Sequence, residues 1–179
     1  RPCFVTRSDA PTVRKKRYID SHTLAKVFEV YYMEDTPPLC DEQMALANAF
    51  EEMVSDYDLV IVSDFGHGMM CPPAIHAVNA TDRFLAINTQ ANAGNRGFNT
   101  ISKYERADYV CLAGHEVELE TRLKYAPFDE LIHEVEKSID CTKFTVTVGK
   151  GGTLHNTAGS PFIQVPALAT KVTDRVGAG

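Results

Sequence analysis

The stretch LVIVSDFGHGMMCPPAIHAVNATDRFLAIN, residues 59–88, decides the fold class of this chain. Its two ends, Leu59–Ser63 and Phe84–Asn88, are continuous apolar runs, as expected for strands that are buried in a parallel sheet. The segment between them predicts a helix at Pro72–Asn79. Strand, helix and strand in this order predict a βαβ unit.

The same alternation continues on both sides of this unit. Further strands are predicted at 109–112 and 144–148, and helices at 41–54, 115–123 and 128–139. The glycine-rich stretch 149–152 predicts a turn, followed by a hairpin of residues 153–155 with 162–165. We therefore expect an α/β core of mainly parallel sheet over residues 36–179, with ligands at the carboxyl ends of its strands.

The first 35 residues have a different pattern. Three segments rich in β-forming residues, at 3–7, 12–19 and 26–33, are separated by turn-like sequences. They predict a small antiparallel sheet over residues 1–35, distinct from the α/β core.

The composition is that of an ordinary globular protein, with 44% hydrophobic and 23% charged residues. A net charge of −6 disfavours non-specific nucleic-acid binding, which needs a basic face. No apolar run is long enough to span a membrane, and no signal peptide is recognisable, so we expect no membrane partner and a cytoplasmic location. The five cysteines contain no C-x-x-C pair and are expected to be reduced thiols.

The most specific motif is DRVGAG, residues 174–179. The small residues Gly177, Ala178 and Gly179 let successive backbone N–H groups converge, and a helix that begins there adds the positive end of its dipole. Such a turn stabilises a phosphoryl group during transfer. Asp174 would brace this loop or orient a metal-bound water. A simple turn between a strand and a helix is the alternative.

This segment resembles the ribokinase-type (PfkB) carbohydrate kinases, in which Asp-x-x-Gly-Ala-Gly precedes a catalytic aspartate. The stretch TVGKGG, residues 147–152, resembles their Thr-x-Gly-x-x-Gly element, which borders the nucleotide. The resemblance makes the following residues the expected ATP-binding set: Thr147, Gly149, Lys150, Gly151 and Gly152. A hairpin turn explains this stretch equally well.

The stretch SDFGHG, residues 63–68, resembles the Ser-Asp-Tyr-x-Lys-Gly segment of the D-glycero-D-manno-heptose-7-phosphate kinase branch. Asp64 would then bind a metal ion or a sugar hydroxyl. His67 stands where that branch has a lysine, so a fixed cation becomes a titratable one. The alternative role for Asp64 is to cap the next turn.

An amide-rich stretch, NTQANAGNRGFNT, covers residues 88–100, where these kinases have an Asp-Pro-Lys-like segment. Amides can bind a sugar or a phosphate without fixing a charge. Asn88, Gln90 and Arg96 are therefore expected substrate contacts, with a solvated loop as the alternative.

Glu116 matches the glutamate of the family's Asn-x-x-Glu motif, which helps to hold magnesium and its water shell. Ala113 replaces the asparagine of that motif, so this chain departs from the pattern at the expected metal site. A first-turn glutamate that is matched to its helix dipole is the alternative for Glu116.

The basic stretch TVRKKRY, residues 12–18, resembles the lid strand of the heptose-kinase branch, where basic residues face a sugar phosphate. Strand alternation puts Lys15 and Arg17 on one face and Arg14 and Lys16 on the other. We expect Lys15 and Arg17 to bind phosphate. A basic edge strand that prevents aggregation is the alternative.

Taken over residues 1–179, the resemblance implies a ribokinase-like three-layer α/β/α fold with a β lid, within a kinase domain that is incomplete in this chain. It implies ATP-dependent phosphorylation of a sugar or sugar phosphate with Mg²⁺. The catalytic aspartate would follow Gly179, so the chain alone would be inactive or nearly so. The expected partners are the sugar substrate, ATP, a second copy bound through the exposed lid aromatics Phe28, Tyr31 and Tyr32, and a fused nucleotidyltransferase domain in the parent protein.

A different class of function stays open. Ala113 and His67 replace groups that the related kinases use, which favours a non-catalytic nucleotide-binding or oligomerisation module on a kinase fold. A dinucleotide-binding Rossmann protein needs Gly-x-Gly-x-x-Gly directly after an early strand, and the sequence has no such placement.

Overall fold

The computed structural model describes residues 2–23 and 25–168. Within them, two short β-strands precede an alternation of strands and helices. The strands are β1 Arg14–Ile19, β2 Lys26–Tyr32, β3 Leu59–Asp64, β4 Phe84–Thr89, β5 Tyr109–Ala113, β6 Lys143–Thr147, β7 Thr153–Thr157 and β8 Ile163–Val165. The helices are α1 Cys40–Val54, α2 Pro72–Asn79, α3 Gly114–Thr121 and α4 Phe128–Val135, with single 3₁₀ turns at Ile101–Lys103 and Gly149–Gly151.

The main sheet has six strands in the order β3-β4-β5-β6-β7-β8. The first four are parallel, and β7 and β8 continue the sheet in antiparallel fashion. The expected mainly parallel sheet and its terminal hairpin are confirmed. Strand order follows chain order, so the carboxyl ends of β3 to β6 lie side by side along one edge.

The core lies on one face of this sheet. Alternate strand residues such as Leu85, Ile87 and Val110 are almost fully buried, in one cluster with the apolar residues of α2, α3 and α4. The residues between them point to the opposite face, where Ile61 is 68% exposed and Leu59 47%. Because parallel strands are normally covered on both faces, the opposite face of β3 is available for a further layer.

The N-terminal sheet, called the lid here, consists of β1 and β2 in antiparallel pairing. The prediction of a third strand at residues 3–7 is wrong, since this segment forms no strand. Its Arg7 guanidinium is bonded instead to the side chain of Asp9 and the backbone carbonyl of Thr36. These contacts tie the segment to the start of the α/β core and leave its backbone without a strand partner.

Two helices end earlier than the sequence pattern predicts. Helix α3 stops at Thr121 because Arg122 adopts a left-handed conformation, with φ 57°. Helix α4 stops at Val135, and the Ser138 hydroxyl and backbone N–H both donate to the Val135 carbonyl in the following turn. Apolar periodicity extends past both ends, and local hydrogen bonding terminates the helices.

The five cysteines all fall within the described residues and are unpaired there, as expected. None of the helices in the described part of the chain is long and apolar enough to cross a membrane.

Candidate functional site

The carboxyl ends of the four parallel strands bring the predicted polar residues to one edge of the sheet. Asp64 at the end of β3 is in register with Thr89 at the end of β4, and Ala113 of β5 with Thr147 of β6. Asp64, the amide-rich stretch, Glu116 and the glycine turn therefore follow one another along this edge, as the topology requires.

Asp64 is the most buried carboxylate at this edge, with 3% of its surface exposed. Its Oδ1 accepts the Gly66 backbone N–H at 2.9 Å, and its Oδ2 accepts the Tyr104 hydroxyl at 2.8 Å and is ion-paired with the Lys103 ammonium. The bond to Gly66 is the turn cap that the sequence left as an alternative. A buried charge is stable when it is paired and hydrogen-bonded, and Asp64 meets both conditions.

Lys103 and Tyr104 were not recognised as site residues from the sequence. They lie about 40 positions after Asp64, in and after a 3₁₀ turn, and no local motif connects them to it. Burial, and then the neighbouring Asp64 carboxylate, raises the pKa of Tyr104, so its hydroxyl stays protonated and donates to Asp64. The only available signal was a lysine and a tyrosine directly after the amide-rich stretch.

The amide-rich stretch holds the loop that follows Asp64. The side-chain amides of Asn92 and Asn95 both donate to the Phe65 carbonyl at 2.8 Å, and that of Asn99 donates to the Asp64 carbonyl at 2.9 Å. Gly66 has φ 68°, and a Cβ there would collide with the side chains of Asn95 and Asn99. These amides therefore fix a tight turn, which is a local structural use of them.

The predicted substrate contacts in this stretch differ in their surroundings. The Asn88 amide donates to the Cys111 carbonyl at 2.7 Å, and the Gln90 backbone N–H donates to the Asp64 carbonyl at 2.8 Å. Arg96 is exposed and has no carboxylate partner among the described residues. Arg96 is the charged residue of the three, and substrate binding by all three stays a prediction.

Glu116 is 8% exposed and lies in the first turn of α3. Its two carboxylate oxygens accept the backbone N–H groups of Ala113 at 2.7 Å and Ala91 at 2.9 Å. The side chain thus closes the start of its own helix and ties it to the amide-rich stretch. The described residues contain no group of three side chains suited to hold a metal ion.

The glycine turn after β6 is compact and specific to glycine. Gly149 and Gly152 have φ 58° and 84°, and the Gly152 N–H donates to the Gly149 carbonyl at 3.0 Å. A Cβ on Gly152 would collide with the backbone of residues 165–167, so the end of β8 and the two residues after it pass directly over the turn. The Lys150 side chain is exposed. The hairpin that the sequence left as an alternative is present.

A cleft of about 330 Å³ opens beside this turn. It lies between the start of α4 and the hairpin, and is lined by Phe128, Asp129, Val148, Leu154, Phe162 and Gln164. Its lining is mainly apolar, with one carboxylate and one amide.

The two predicted phosphate contacts, Lys15 and Arg17, lie on the same face of the lid, but Lys15 approaches a residue of the α/β core and Arg17 is paired within the lid. Lys15 lies 4.8 Å from the centre of the Tyr31 ring and 5.7 Å from that of Phe65, which follows β3. Arg17 is paired at 3.0 Å with Glu29, its cross-strand neighbour. The face assignment from strand alternation is correct, and the Arg17 charge is already compensated.

The catalytic turn predicted at Asp174, Gly177, Ala178 and Gly179 lies outside the described residues.

Comparison with solved structures identifies the class of fold that this site belongs to. Ribokinase from Thermotoga maritima matches with a TM-score of 0.60 at 14% identity, over 90% of this chain and 50% of that one. Ribokinase from Arabidopsis thaliana, complexed with ribose and ATP, matches with a TM-score of 0.55 at 13% identity, over 95% of this chain and 53% of that one. The fold is therefore ribokinase-like, as predicted.

Curated proteins give a more particular likeness. The chain is 26% identical to Bifunctional protein HldE of Rhodopseudomonas palustris over 182 residues, which is 99% of this chain and 36% of the relative. The corresponding protein of Shewanella piezotolerans is 27% identical over 96% of the chain and 35% of its own length. The chain spans about a third of the length of these relatives. No protein-family model matches the chain. Both comparisons confirm the resemblance to ribokinase-like carbohydrate kinases.

Proposed function

We propose that this chain is part of an ATP-dependent kinase that transfers a phosphoryl group to a hydroxyl of a sugar or sugar phosphate, with D-glycero-D-manno-heptose 7-phosphate as the favoured substrate. The observation that carries the proposal is the order of elements along one sheet edge. A lid lysine and the Asp64 loop lie at its β3 end, and the glycine turn lies at its β6 end. The similarity to HldE over nearly the whole chain supports the same assignment.

The glycine turn is the proposed nucleotide side of the site. Gly149 has open space where a Cβ would lie, so its backbone can approach a bound phosphate, and the exposed Lys150 ammonium adds a positive charge. Thr147 ends β6 directly before it. These residues suit the phosphates of ATP, which supplies the γ-phosphoryl group.

The magnesium assignment to Glu116 fits the described geometry less well. Both of its oxygens are occupied by backbone N–H groups, and direct ligation of a cation would break at least one of these bonds. The described residues do not form a magnesium site by themselves.

The sugar side is proposed at the β3 end. Asp64 is held rigidly by Tyr104 and Lys103, which keeps the turn behind it in place. That turn presents Phe65 and His67 to the lid, opposite Lys15. A phosphate on the substrate would lie near Lys15, because Arg17, the other predicted phosphate contact on this face, is paired with Glu29.

A homodimer through the lid is part of the proposal. On the face that carries Arg14, the rings of Tyr18 and Phe28 stack 4.3 Å apart, and Phe28 is 51% exposed. Tyr32, 43% exposed, extends this patch. Tyr31, also predicted as an exposed contact, faces His67 instead. We also propose a cytoplasmic location and, in the parent protein, a fused nucleotidyltransferase domain.

The second candidate is a nucleotide-binding or oligomerisation module without catalysis. The absence of an asparagine at Ala113 and the saturated carboxylate of Glu116 favour it. An aspartate directly after Gly179 in the natural gene would support the kinase, and any other residue there would support the module.

The test is γ-phosphoryl transfer from ATP by the parent protein, measured against heptose 7-phosphate, the unphosphorylated heptose and simple hexoses. We expect transfer to heptose 7-phosphate above the other sugars. ATP binding by calorimetry without transfer to any sugar would replace the kinase by the binding module.

A further inference from the structure

His67 carries a buried imidazole nitrogen beneath the lid. Among the described residues, its Nε2 is shielded from solvent and has no hydrogen-bond partner. Buried side-chain nitrogens are nearly always paired, so an exception at a strand end calls for an explanation. The turn that positions His67 has positive φ angles at Gly66 (68°) and Gly68 (85°), and the amides of Asn92 and Asn95 donate to the Phe65 carbonyl within it.

The surroundings of His67 are rich in aromatic rings and contain one cation from the lid. Its ring meets Tyr31 of β2 edge-on, with 6.3 Å between the centres, and the Lys15 ammonium lies over the same Tyr31 ring. The charged groups that face it are Lys15 on β1, Asp35 after β2 and Asp64 on β3. Burial, and then Lys15, lowers the pKa of His67, while Asp35 and Asp64 act in the opposite direction. At neutral pH the imidazole is therefore uncharged.

The lid cations around Lys15 and Glu29 differ in how far their charges are compensated. Arg17 is paired with Glu29, and Glu29 also binds Lys26. Lys15 lies on aromatic rings and has no ion pair among the described residues. Arg17 and Lys26 share one carboxylate, whereas Lys15 keeps its charge without a carboxylate partner in the described part of the chain, and His67 is a titratable group beside Lys15 that can add a second charge at the phosphate.

We propose that Lys15 and His67 together bind the phosphoryl group of the substrate, and that His67 does so as a cation after taking up one proton from solvent. This inference rests on the proposed sugar-phosphate kinase function. In the bound state the Nε2–H donates to a phosphoryl oxygen, so the buried nitrogen gains its partner. Substrate binding and proton uptake are then linked, and phosphate affinity falls as the pH rises through the pKa of His67 in the complex.

Thermodynamic linkage gives the direction in which phosphate shifts the pKa of His67. A ligand that binds the protonated imidazole about tenfold more tightly raises the pKa of His67 by about one unit. A lysine at this position stays charged throughout the same pH range. His67→Lys is therefore the matched control, and the ratio of wild-type to H67K dissociation constants cancels the titration of the phosphate itself.

The experiment uses the whole chain and inorganic phosphate as the probe. NMR of the imidazole, assigned with His67→Gln, follows the pKa of His67 between pH 5 and 8.5 with and without phosphate. We expect phosphate to raise this pKa by about one unit. Titrations of both proteins with phosphate should show the wild-type to H67K ratio increasing several-fold from pH 6 to pH 8, with about tenfold as the limit for a pKa shift of one unit.

An imidazole that titrates identically with and without saturating phosphate would overturn the inference, and so would a ratio that is flat with pH. The wild-type NMR titration decides the matter if H67K does not fold. The transfer assay on the parent protein tests the kinase function separately. If the parent transfers phosphate to a sugar while the ratio of wild-type to H67K dissociation constants does not change with pH, only the role of His67 is refuted. Proton-linked phosphate binding without transfer to any sugar refutes the kinase function and supports the role of His67.

Discussion

Replacing Tyr104 by phenylalanine tests the network that holds Asp64. The Tyr104 side chain is 1% exposed, and its hydroxyl donates at 2.8 Å to a carboxylate that is itself 3% exposed. Tyr104→Phe keeps the ring and its packing and removes only this donor. A hydrogen bond to a charged group contributes about 1.5–3 kcal/mol, and the Asp64 carboxylate keeps Lys103 and Gly66 as partners. We therefore expect the free energy of unfolding to fall by about 2 kcal/mol.

Urea denaturation, followed by far-UV circular dichroism, measures this loss as a shift in the unfolding midpoint at an unchanged slope. Tyr125→Phe is the matched control because Tyr125 is 85% exposed, and it should stay within about 0.5 kcal/mol of wild type. If Tyr104→Phe is as stable as this control, the hydroxyl does not stabilise Asp64 and the described network is wrong.

Three further predictions concern other parts of the chain. Gly66→Ala, at φ 68° with two asparagine side chains in the way, should lower the melting temperature clearly more than Gly97→Ala, which has φ 81° and open space; equal shifts would refute the close approach. Ile61→Lys, at a site 68% exposed, should change the free energy of unfolding in urea by less than about 0.5 kcal/mol, whereas a large loss of stability would show that this face is covered. The backbone N–H and hydroxyl of Ser8 lower the pKa of Glu42. The stabilisation from these bonds is therefore present above the ordinary carboxyl pKa and is lost as the pH falls through the pKa of Glu42 in the folded protein. The difference in stability between wild type and Glu42→Gln should shrink on acidification, and a constant difference would contradict this.

The α/β core was predictable because each strand is a short apolar run followed by polar residues. Leu59–Asp64 and Phe84–Thr89 each lie within one residue of the predicted ends, since burial of alternate residues and the turns after them are encoded locally. Helix ends were less predictable. The left-handed residue that ends α3 is Arg122, which no composition rule singles out.

The candidate site was predictable in its location and less so in its contacts. Parallel topology brings the strand ends together whatever their side chains do, so Asp64 and Glu116 were correctly placed at the edge. Their partners depend on packing between distant segments. Lys103 reaches Asp64 from a different loop, and Glu116 accepts an N–H from Ala91, 25 positions earlier in the chain. No local pattern contains such pairs.

The third lid strand was mispredicted for a related reason. Residues 3–7 have a β-rich composition, but strand formation needs a partner edge, and Arg7 anchors the segment near Thr36 instead. The basic strand β1, by contrast, has its partner 12 positions away in sequence at Arg17 and Glu29, close enough for a hairpin pattern to show.

The most direct measurement of the central claim is transfer of labelled γ-phosphate from ATP to heptose 7-phosphate by the parent protein, compared with its Gly152→Val variant. The proposal predicts a labelled sugar bisphosphate with wild type and a large loss with the variant, because a side chain at Gly152 collides with the backbone over the turn. Tyr125→Phe changes an exposed residue outside the glycine turn, and this variant should transfer at the wild-type rate. If the parent protein binds ATP but transfers no label to the sugar, the kinase assignment is contradicted.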